Sequence, residues 1–488
     1  MIRRTLEQIG GMCKAEWNPA ASAVAITGAG TDSRKIAAGQ LFVPLVGDKF
    51  DGHDYVAQAL KDGAAAALWQ RGHAVPPELA DAPLLQVDDT LAALQALASA
   101  YRTELEGLRV VGITGSNGKT TTKDMVAAVL GTSLRVHKTA GNLNNHIGLP
   151  LMVLELDDQT EVAVLEMGMS GFGEIELLTQ IARPDVAIIT NIGDAHMLQL
   201  GSREGIAKAK LEIVSGLQPG GLLLYNGDEP LLASGLGHTT LPAGARLEAF
   251  GLMDGNRWTA ANMIIDAVSA AFELKDGSAS LQANAAVPES DVSAETAEGE
   301  SYAIPVPGKH NVSNALAAIA IGHHFGITGE RIRQGLSSLQ LTGMRIQPVK
   351  AFNGAMILND AYNANPTAVR AAIDLLESVS GFRKKWIVLG DMLELGPDEE
   401  QLHYETGVFI TPAKADAVLT CGQLSRHTSL GVKSSFGAAA DAADIIHFEE
   451  KEKLAEWLKA QLQPADIVLV KGSRGMRMEQ IVQALEVG

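Results

Sequence analysis

Residues 112–121 read GITGSNGKTT, a composition suited to holding phosphate. Gly115 and Gly118 have no Cβ, so the backbone N–H groups around them can turn inward toward anionic oxygens. Lys119 brings a compact positive charge and Thr120 a hydroxyl suited to Mg²⁺, while Ser116, Asn117 and Thr121 complete the turn. The apolar run before the loop and the helix-forming run KDMVAAVL after it place a helix N-terminus against the phosphates. The spacing departs from G-x-x-x-x-G-K-[ST]: position 113 is Ile113, and the glycine stands one residue earlier, at Gly112. The loop predicts ATP or GTP. It leaves the reaction open.

Other residues invite chemistry more weakly. Glu166 ends the run VAVLE, and ligand sites gather at the C-terminal ends of strands in open α/β sheets. His196 follows the run VAIIT; a lone His is commonly structural, and imidazole is atypical for Mg²⁺. In AKAKLEI, Lys208 and Lys210 point in different directions on a helix, so at most one faces a given ligand. Asn142, Asn144 and Asn145 lie in a polar loop, where Asn often only closes turns. Asn311 and Asn314 open a helical pattern at 311–325, with Asn311 or Ser313 near its start as a cap. Lys471 and Arg474 follow the run DIVLV as a cation pair able to hold a carboxylate or a phosphate.

These residues require strands and helices in alternation. Runs at 41–46, 64–69 and 84–87, with helical patterns at 53–61 and 90–101, predict a small N-terminal α/β domain over 1–107. Runs at 109–113, 162–166, 186–190 and 222–225 predict a central P-loop domain over 108–343, built on a parallel sheet with helices on both faces. Runs at 355–358, 386–389, 417–420 and 466–470 predict a Rossmann-like C-terminal domain over 344–488. The fold class is therefore α/β in three domains. The Ala-, Ser- and acid-rich stretch 275–301 reads as a variable hairpin or mobile insertion.

The 488 residues exceed what one core accommodates, and 46% hydrophobic with 20% charged residues is an ordinary globular balance. A net charge of −18 argues against nucleic acid and anionic membranes as partners. No apolar run suggests a membrane span and no secretory signal is read, so neither insertion nor export is expected. Two distant cysteines, Cys13 and Cys421, argue against a disulfide framework or a zinc site and for a reducing cytoplasm. A monomer is expected.

The glycine variant of the loop is one of an ordered series of motifs. The series includes TDSR (31–34), LFVPLVGDKFDGH (41–53), NLNNHIGLP (142–150), EMGMSGFGEI (166–175) and NIGDAH (191–196). It continues through AKAKLEI (207–213), GKHNVSNALAA (308–318), NDAYNANP (359–366), LGDMLELG (389–396) and KGSRGMRME (471–479). This series resembles the Mur ligases, which build the peptide of bacterial cell-wall precursors. NLNNHIG, EMGMSG, DAYNANP and the final GSR are most similar to the branch that adds D-alanyl-D-alanine to UDP-N-acetylmuramoyl-tripeptide.

The resemblance implies an ATP-dependent ligase working through an acyl phosphate, with two Mg²⁺ ions. It implies that Thr120 and Glu166 bind one ion, and that His196 and a carbamylated Lys210 serve the second. Asn142, Asn144 and Asn145 would line the UDP-sugar-peptide site, with Ser33 and Arg34 near the uridine diphosphate. Asn311 and Asn314 would lie beside adenine, Arg345 on phosphate and Asp360 on the ATP ribose. Tyr362, Asn363, Lys471 and Arg474 would belong to the site of the incoming dipeptide or a substrate phosphate. Lys309 stands where the family often has Arg. Another amino-acid ligase of the Mur or folylpolyglutamate type, or a nucleotide-binding protein without ligation, are the competing expectations.

Overall fold

The computed structural model describes residues 1–47, 50–276 and 299–487. Its centre is a nine-stranded sheet, built first from short Val-, Ile-, Leu- and Ala-rich runs buried on both faces. Spatial order runs Val136–Lys138, Val162–Glu166, Arg109–Thr114, Val186–Ile189, Leu222–Asn226, Arg246–Phe250, Trp258–Ile265, Ala270–Asp276 and Ser301–Ile304. Neighbours are parallel through Trp258–Ile265, as runs without alternation require. The four strands expected from the sequence are parallel to one another, and the last two junctions, beyond them, are antiparallel. Trp258–Ile265 is largely half-exposed or exposed, the pattern of a strand with a wet face. Residues 277–298 of the expected insertion lie outside the described residues; the strands flanking it pair in register, Glu273 opposite Ser301.

The first sheet has five strands, in the order Glu16–Trp17, Leu84–Val87, Ala66–Gln70, Leu41–Phe42 and Ala29–Gly30. The run at 41–46 does not form one strand. Pro44 has no N–H to donate, so pairing stops at Phe42, and Val46–Gly47 forms a separate hairpin with Phe50–Asp51. The C-terminal sheet runs Gln347–Lys350, Met356–Asp360, Ile467–Lys471, Lys385–Gly390, Ala417–Cys421 and Asp444–Phe448. Only its first junction is antiparallel, and an apolar core covers each face.

The two junctions along the chain differ physically. Around residue 107 a single core is continuous, joining Leu6, Leu97 and Tyr101 to Leu149, Met152 and Ile175. Tyr101 donates its hydroxyl to the Leu156 carbonyl (2.8 Å), and buried Arg102 donates Nε to the Ala182 carbonyl (2.9 Å). Near residue 343 the connection is polar: buried Asp124 accepts the Thr342 N–H (2.8 Å) and the Lys138 ammonium (2.7 Å). Cys13 and Cys421 are free and buried. Among the described residues no helix is long and apolar enough to cross a membrane.

Because buried Arg102 reaches across the first junction to the Ala182 and Leu108 carbonyls, Arg102→Ala is expected to lower unfolding free energy by about 2 kcal/mol. Urea denaturation at neutral pH measures this, and an unchanged midpoint would show that the junction does not depend on it.

Candidate active site

The phosphate loop is shaped by what lies beneath it. Gly115 has φ +149°, and a Cβ there would stand 1.8 Å from Thr190 Oγ1, so only glycine fits. Thr190 Oγ1 donates to the Asn117 carbonyl (2.6 Å), and Asn191 Oδ1 accepts the Asn117 N–H (2.9 Å). Gly118, at φ +79°, opens the helix Lys119–Leu130, whose N–H groups face the loop. Lys119 folds back so that Nζ donates to the Gly115 carbonyl (2.8 Å). Burial depresses its pKa, with Glu166 opposing and Arg345 adding to the shift.

Glu166 is buried at the end of its strand, facing the loop. Oε2 accepts the Thr120 hydroxyl (2.8 Å), Oε1 accepts the Asn144 side-chain amide (2.8 Å), and its N–H donates to Thr139 Oγ1 (2.9 Å). A hydroxyl beside a carboxylate is the hard oxygen donor set that Mg²⁺ takes. Lys210 lies on the helix Arg203–Leu211 and is only 2% exposed, whereas Lys208 on the same helix is exposed. Among the described residues Lys210 has no hydrogen-bond or ion-pair partner; burial, reinforced by Lys119, holds its pKa far below the usual lysine range. His196 adopts φ +65°, and its buried Nδ1 has no hydrogen bond; the Glu394 carboxylate is 3.6 Å away.

The C-terminal sheet closes the other wall. Arg345 lies between two non-glycine residues with left-handed backbone, Met344 (φ +63°) and Ile346 (φ +49°). Its guanidinium stacks 4.3 Å over the Tyr362 ring. Asp360 accepts the Lys471 ammonium and the Ile346 N–H (3.3 Å), while Lys471 also reaches the Asn363 carbonyl (3.0 Å). The helix Lys309–His324 starts after Gly308, so Asn311 is within its first turn and is not the cap expected there, nor is Ser313. Asn311 Nδ2 instead donates to the Pro307 carbonyl (2.7 Å), and Asn314 Oδ1 accepts the Thr122 hydroxyl (3.2 Å).

One cleft of about 600 Å³, at the C-terminal ends of both parallel sheets, gathers nearly all of the expected residues. Ser116, Asn117, Gly118, Lys119, Thr120, Thr121, Asn142, Asn144, Asn145, Glu166, His196 and Lys210 line it from the central sheet, with Asn311 and Asn314. Arg345, Asp360, Tyr362, Asn363 and Lys471 line it from the C-terminal side. Gly115 lies under the loop. Arg474 does not join Lys471: it points outward and donates to Glu479 (2.9 Å). Ser33 and Arg34 are outside the cleft, with Arg34 exposed and paired to Asp32 (2.8 Å).

Three stretches match descriptions of one family: "Mur ligase family, catalytic domain" at 25–102, "Mur ligase middle domain" at 113–322, and "Mur ligase, glutamate ligase domain" at 344–474. The chain belongs to the Mur ligase family. It is 48% identical over 488 residues to the UDP-N-acetylmuramoyl-tripeptide--D-alanyl-D-alanine ligase of Bacillus subtilis (strain 168), covering 99% of each chain. It is similar in structure to MurF from Acinetobacter baumannii, with TM-score 0.85, 29% identity and 100% of each chain covered. It also resembles the MurF ligase of Thermotoga maritima solved with ADP, with TM-score 0.78, 27% identity, and coverage of 94% of this chain and 97% of that one.

Several polar residues of this Mur ligase cleft were not singled out by residue type alone. Thr190, Asn191, Asn365 and Thr367 all line it, and the last three hold neighbouring loops. Asn191 and Asn365 sit inside NIGDAH and NDAYNANP, so those motifs carried the signal. Beside the first sheet, Asp51, His53 and His73 bring ligand atoms within 4.8 Å of one another. However, His53 Nε2 accepts the Gln70 N–H (3.1 Å), so Nδ1 carries the proton and donates to Asp51 (2.6 Å). The trio is a polar clamp.

Burial sets the titration of two further histidines. His310, lining the cleft, is pushed down to about 4 by burial, with Asp360 opposing and Lys471 reinforcing. His324 is pushed down to about 4 by burial, then by Arg246 and Arg109, against Asp185. Between the ordinary value of 6.5 and about 4, the unfolded chain binds protons that the folded chain refuses. Stability is therefore full above pH 6.5 and declines as pH falls toward 4. His310→Gln/His324→Gln is expected to flatten this decline in urea midpoints. A His310 ring titrating near its ordinary value by NMR would contradict the assignment.

Proposed function

We propose that this Mur ligase joins D-alanyl-D-alanine to UDP-N-acetylmuramoyl-tripeptide at the expense of ATP. The observation that carries the reading is the convergence in one cleft of the phosphate loop, the buried Thr120–Glu166 pair, Lys210 and the Asp360–Lys471 wall. The named relative aligned over 99% of the chain supports the same reaction. In this reading residues 1–107 hold the UDP end, with Ser33 and Arg34 near the diphosphate. Residues 108–343 bind ATP, and 344–488 bring ribose contacts and the dipeptide. Buried free thiols and the acidic chain agree with a cytoplasmic enzyme.

The chemistry begins with an acid that is a poor acyl donor, because its leaving group would be oxide. The tripeptide carboxylate oxygen attacks the γ-phosphorus of ATP; the new O–P bond forms as the bond to ADP breaks. The neutral dipeptide amine then attacks the acyl carbon, the C–O bond to phosphate breaks, and the amine loses a proton. Inorganic phosphate leaves and an amide remains. The chain's own contribution is positioning and charge: Lys119 and the loop N–H groups hold the β- and γ-phosphates, and Arg345 neutralises phosphate oxygen. Asn311 and Asn314 border adenine, and Asp360 the ribose. Asn142, Asn144 and Asn145 border the acceptor peptide, and Tyr362, Asn363 and Lys471 the dipeptide, while Arg474, turned outward onto Glu479, is left out of that site.

Thr120 and Glu166 would hold one Mg²⁺, while His196 and Lys210 serve a second. Bound there, these ions would screen the phosphate charge as it meets the carboxylate. Lys210 fits this role only after modification. Burial lowers the Lys210 pKa against the pull of Glu212, which favours the neutral amine; such an amine would add CO₂ and release a proton to give a carbamate, an anionic oxygen ligand. His196, with an unpaired buried nitrogen, is an available neutral ligand.

Amine-dependent phosphate release is the decisive assay: ATP and UDP-N-acetylmuramoyl-tripeptide, with and without D-alanyl-D-alanine. Lys119→Ala is expected to reduce turnover by about 10³-fold or more. Lys210→Ala is expected to be comparably impaired, with partial recovery in a small exogenous carboxylate, while Lys208→Ala stays near parental activity. Full activity of Lys210→Ala would exclude the carbamate.

A further inference from the structure

The N-terminus of the helix Pro366–Ser378, in the C-terminal domain, is tied at two points to the two loops that shape the phosphate site. The first tie is an amide pair. Asn365 Nδ2 donates to Asn117 Oδ1 (2.8 Å), and Asn117 Nδ2 approaches Asn365 Oδ1 (3.4 Å). The orientation of this pair follows from chemistry: Asn365 Oδ1 also accepts the Ala368 N–H (2.9 Å) as the helix cap, so its amide nitrogen must face Asn117. The second tie is charge-assisted. The Thr367 hydroxyl donates to Asp194 Oδ2 (2.6 Å), two residues before His196.

Between the two ties lies Gly193. A Cβ there would stand 3.0 Å from Asn117 Nδ2, 3.3 Å from Ser116 Cβ and 3.3 Å from Thr367 Oγ1. Its backbone conformation is open to other residues, so what a side chain would meet here is the tight packing of the junction and not a strained φ. Asn117 is meanwhile fixed on its other side by Thr190 and Asn191. Its side chain therefore has one task left, which is to reach across to the C-terminal domain.

We infer that Asn365, Thr367 and Gly193 form a clamp that sets the C-terminal domain on the phosphate loop, with Asn365 and Thr367 as positioning residues for amine attack. The inference rests on the ligase reading above. The two ties act together, because they anchor the cap and first turn of one helix to adjacent loops of one sheet. When they are made, Tyr362 and Asn363, three and two residues before Asn365, are carried to the wall opposite Glu166. When they are broken, the loop can still hold nucleotide, but the segment next to the amine site is no longer registered against it.

The test uses the full-length protein. Asn365→Ser keeps a side-chain cap on Ala368 and loses the reach to Asn117, so the helix stays capped while the tie is removed. Thr367→Val removes the second tie at nearly constant shape, and Gly193→Ala wedges the junction without deleting a hydrogen bond. Each variant is expected to lower kcat about tenfold and to raise KM for D-alanyl-D-alanine, with a smaller rise in KM for ATP because Arg345 and Asp360 lie on the same wall. Asn365→Ser/Thr367→Val is expected to give a larger radius of gyration than the parent by solution scattering, with a thermal midpoint within about 2 °C. Variants with parental kcat, KM and scattering would overturn the clamp while leaving the ligase reading intact. Absence of amine-dependent phosphate release by the parent would overturn the ligase reading instead, and an unchanged scattering profile would then still refute the clamp.

Discussion

The site depends on one strand pairing. Ile113 lies opposite Glu166 in the parallel ladder, so the chain leaves both strands at the same level, and the phosphate loop arches over the carboxylate. From there Thr120, in the first turn of the loop helix, is within hydrogen-bond reach of Glu166. On the other side Thr114 pairs with Ile189, which delivers Thr190 and Asn191 under Asn117. A slip of one residue in either pairing would turn Glu166 or the loop support to the wrong face. Parallel order makes this economical, because every strand raises its following loop on the same edge.

Charge is handled locally against an overall acidic chain. Four basic side chains line the cleft, and each meets its surroundings differently. Lys471 is neutralised by Asp360, Lys119 leans on a carbonyl, and Arg345 rests on an aromatic face. Lys210 has none of these arrangements. Burial, reinforced by Lys119 and opposed by Glu212, pushes its pKa well below the ordinary lysine value. A site that must accept a triphosphate and a carboxylate together benefits from cations that are already ordered, since little reorganisation remains when the anions arrive.

The two domain junctions complement this. The first sheet shares its apolar core with the central one, so separating them would expose Leu, Ile and Met side chains to water. The C-terminal sheet has its own cores and meets the cleft through amides, a hydroxyl and carboxylates. Such contacts exchange for water at small net cost, which suits a wall that admits substrates and later excludes solvent.

The motifs and apolar runs determined much by themselves. The phosphate loop, the strand ending at Glu166, the family, and the residues that would gather around nucleotide were all legible, because backbone turns and buried parallel strands demand particular residue types at short spacing. Helical spacing alone left Lys208 and Lys210 as alternatives and the family resemblance chose Lys210; the packed helix turns Lys210 inward and Lys208 outward. The cap expected of Asn311, the pairing of Lys471 with Asp360 in place of Arg474, and the antiparallel end of the central sheet were decided by tertiary contacts. So were the ties of Asn117 to Asn365 and of Asp194 to Thr367. These join residues more than a hundred positions apart, and short Asn, Thr and Asp side chains look alike in any polar loop. Local spacing reports what the backbone needs nearby; which distant group satisfies a side chain depends on the packed sheets.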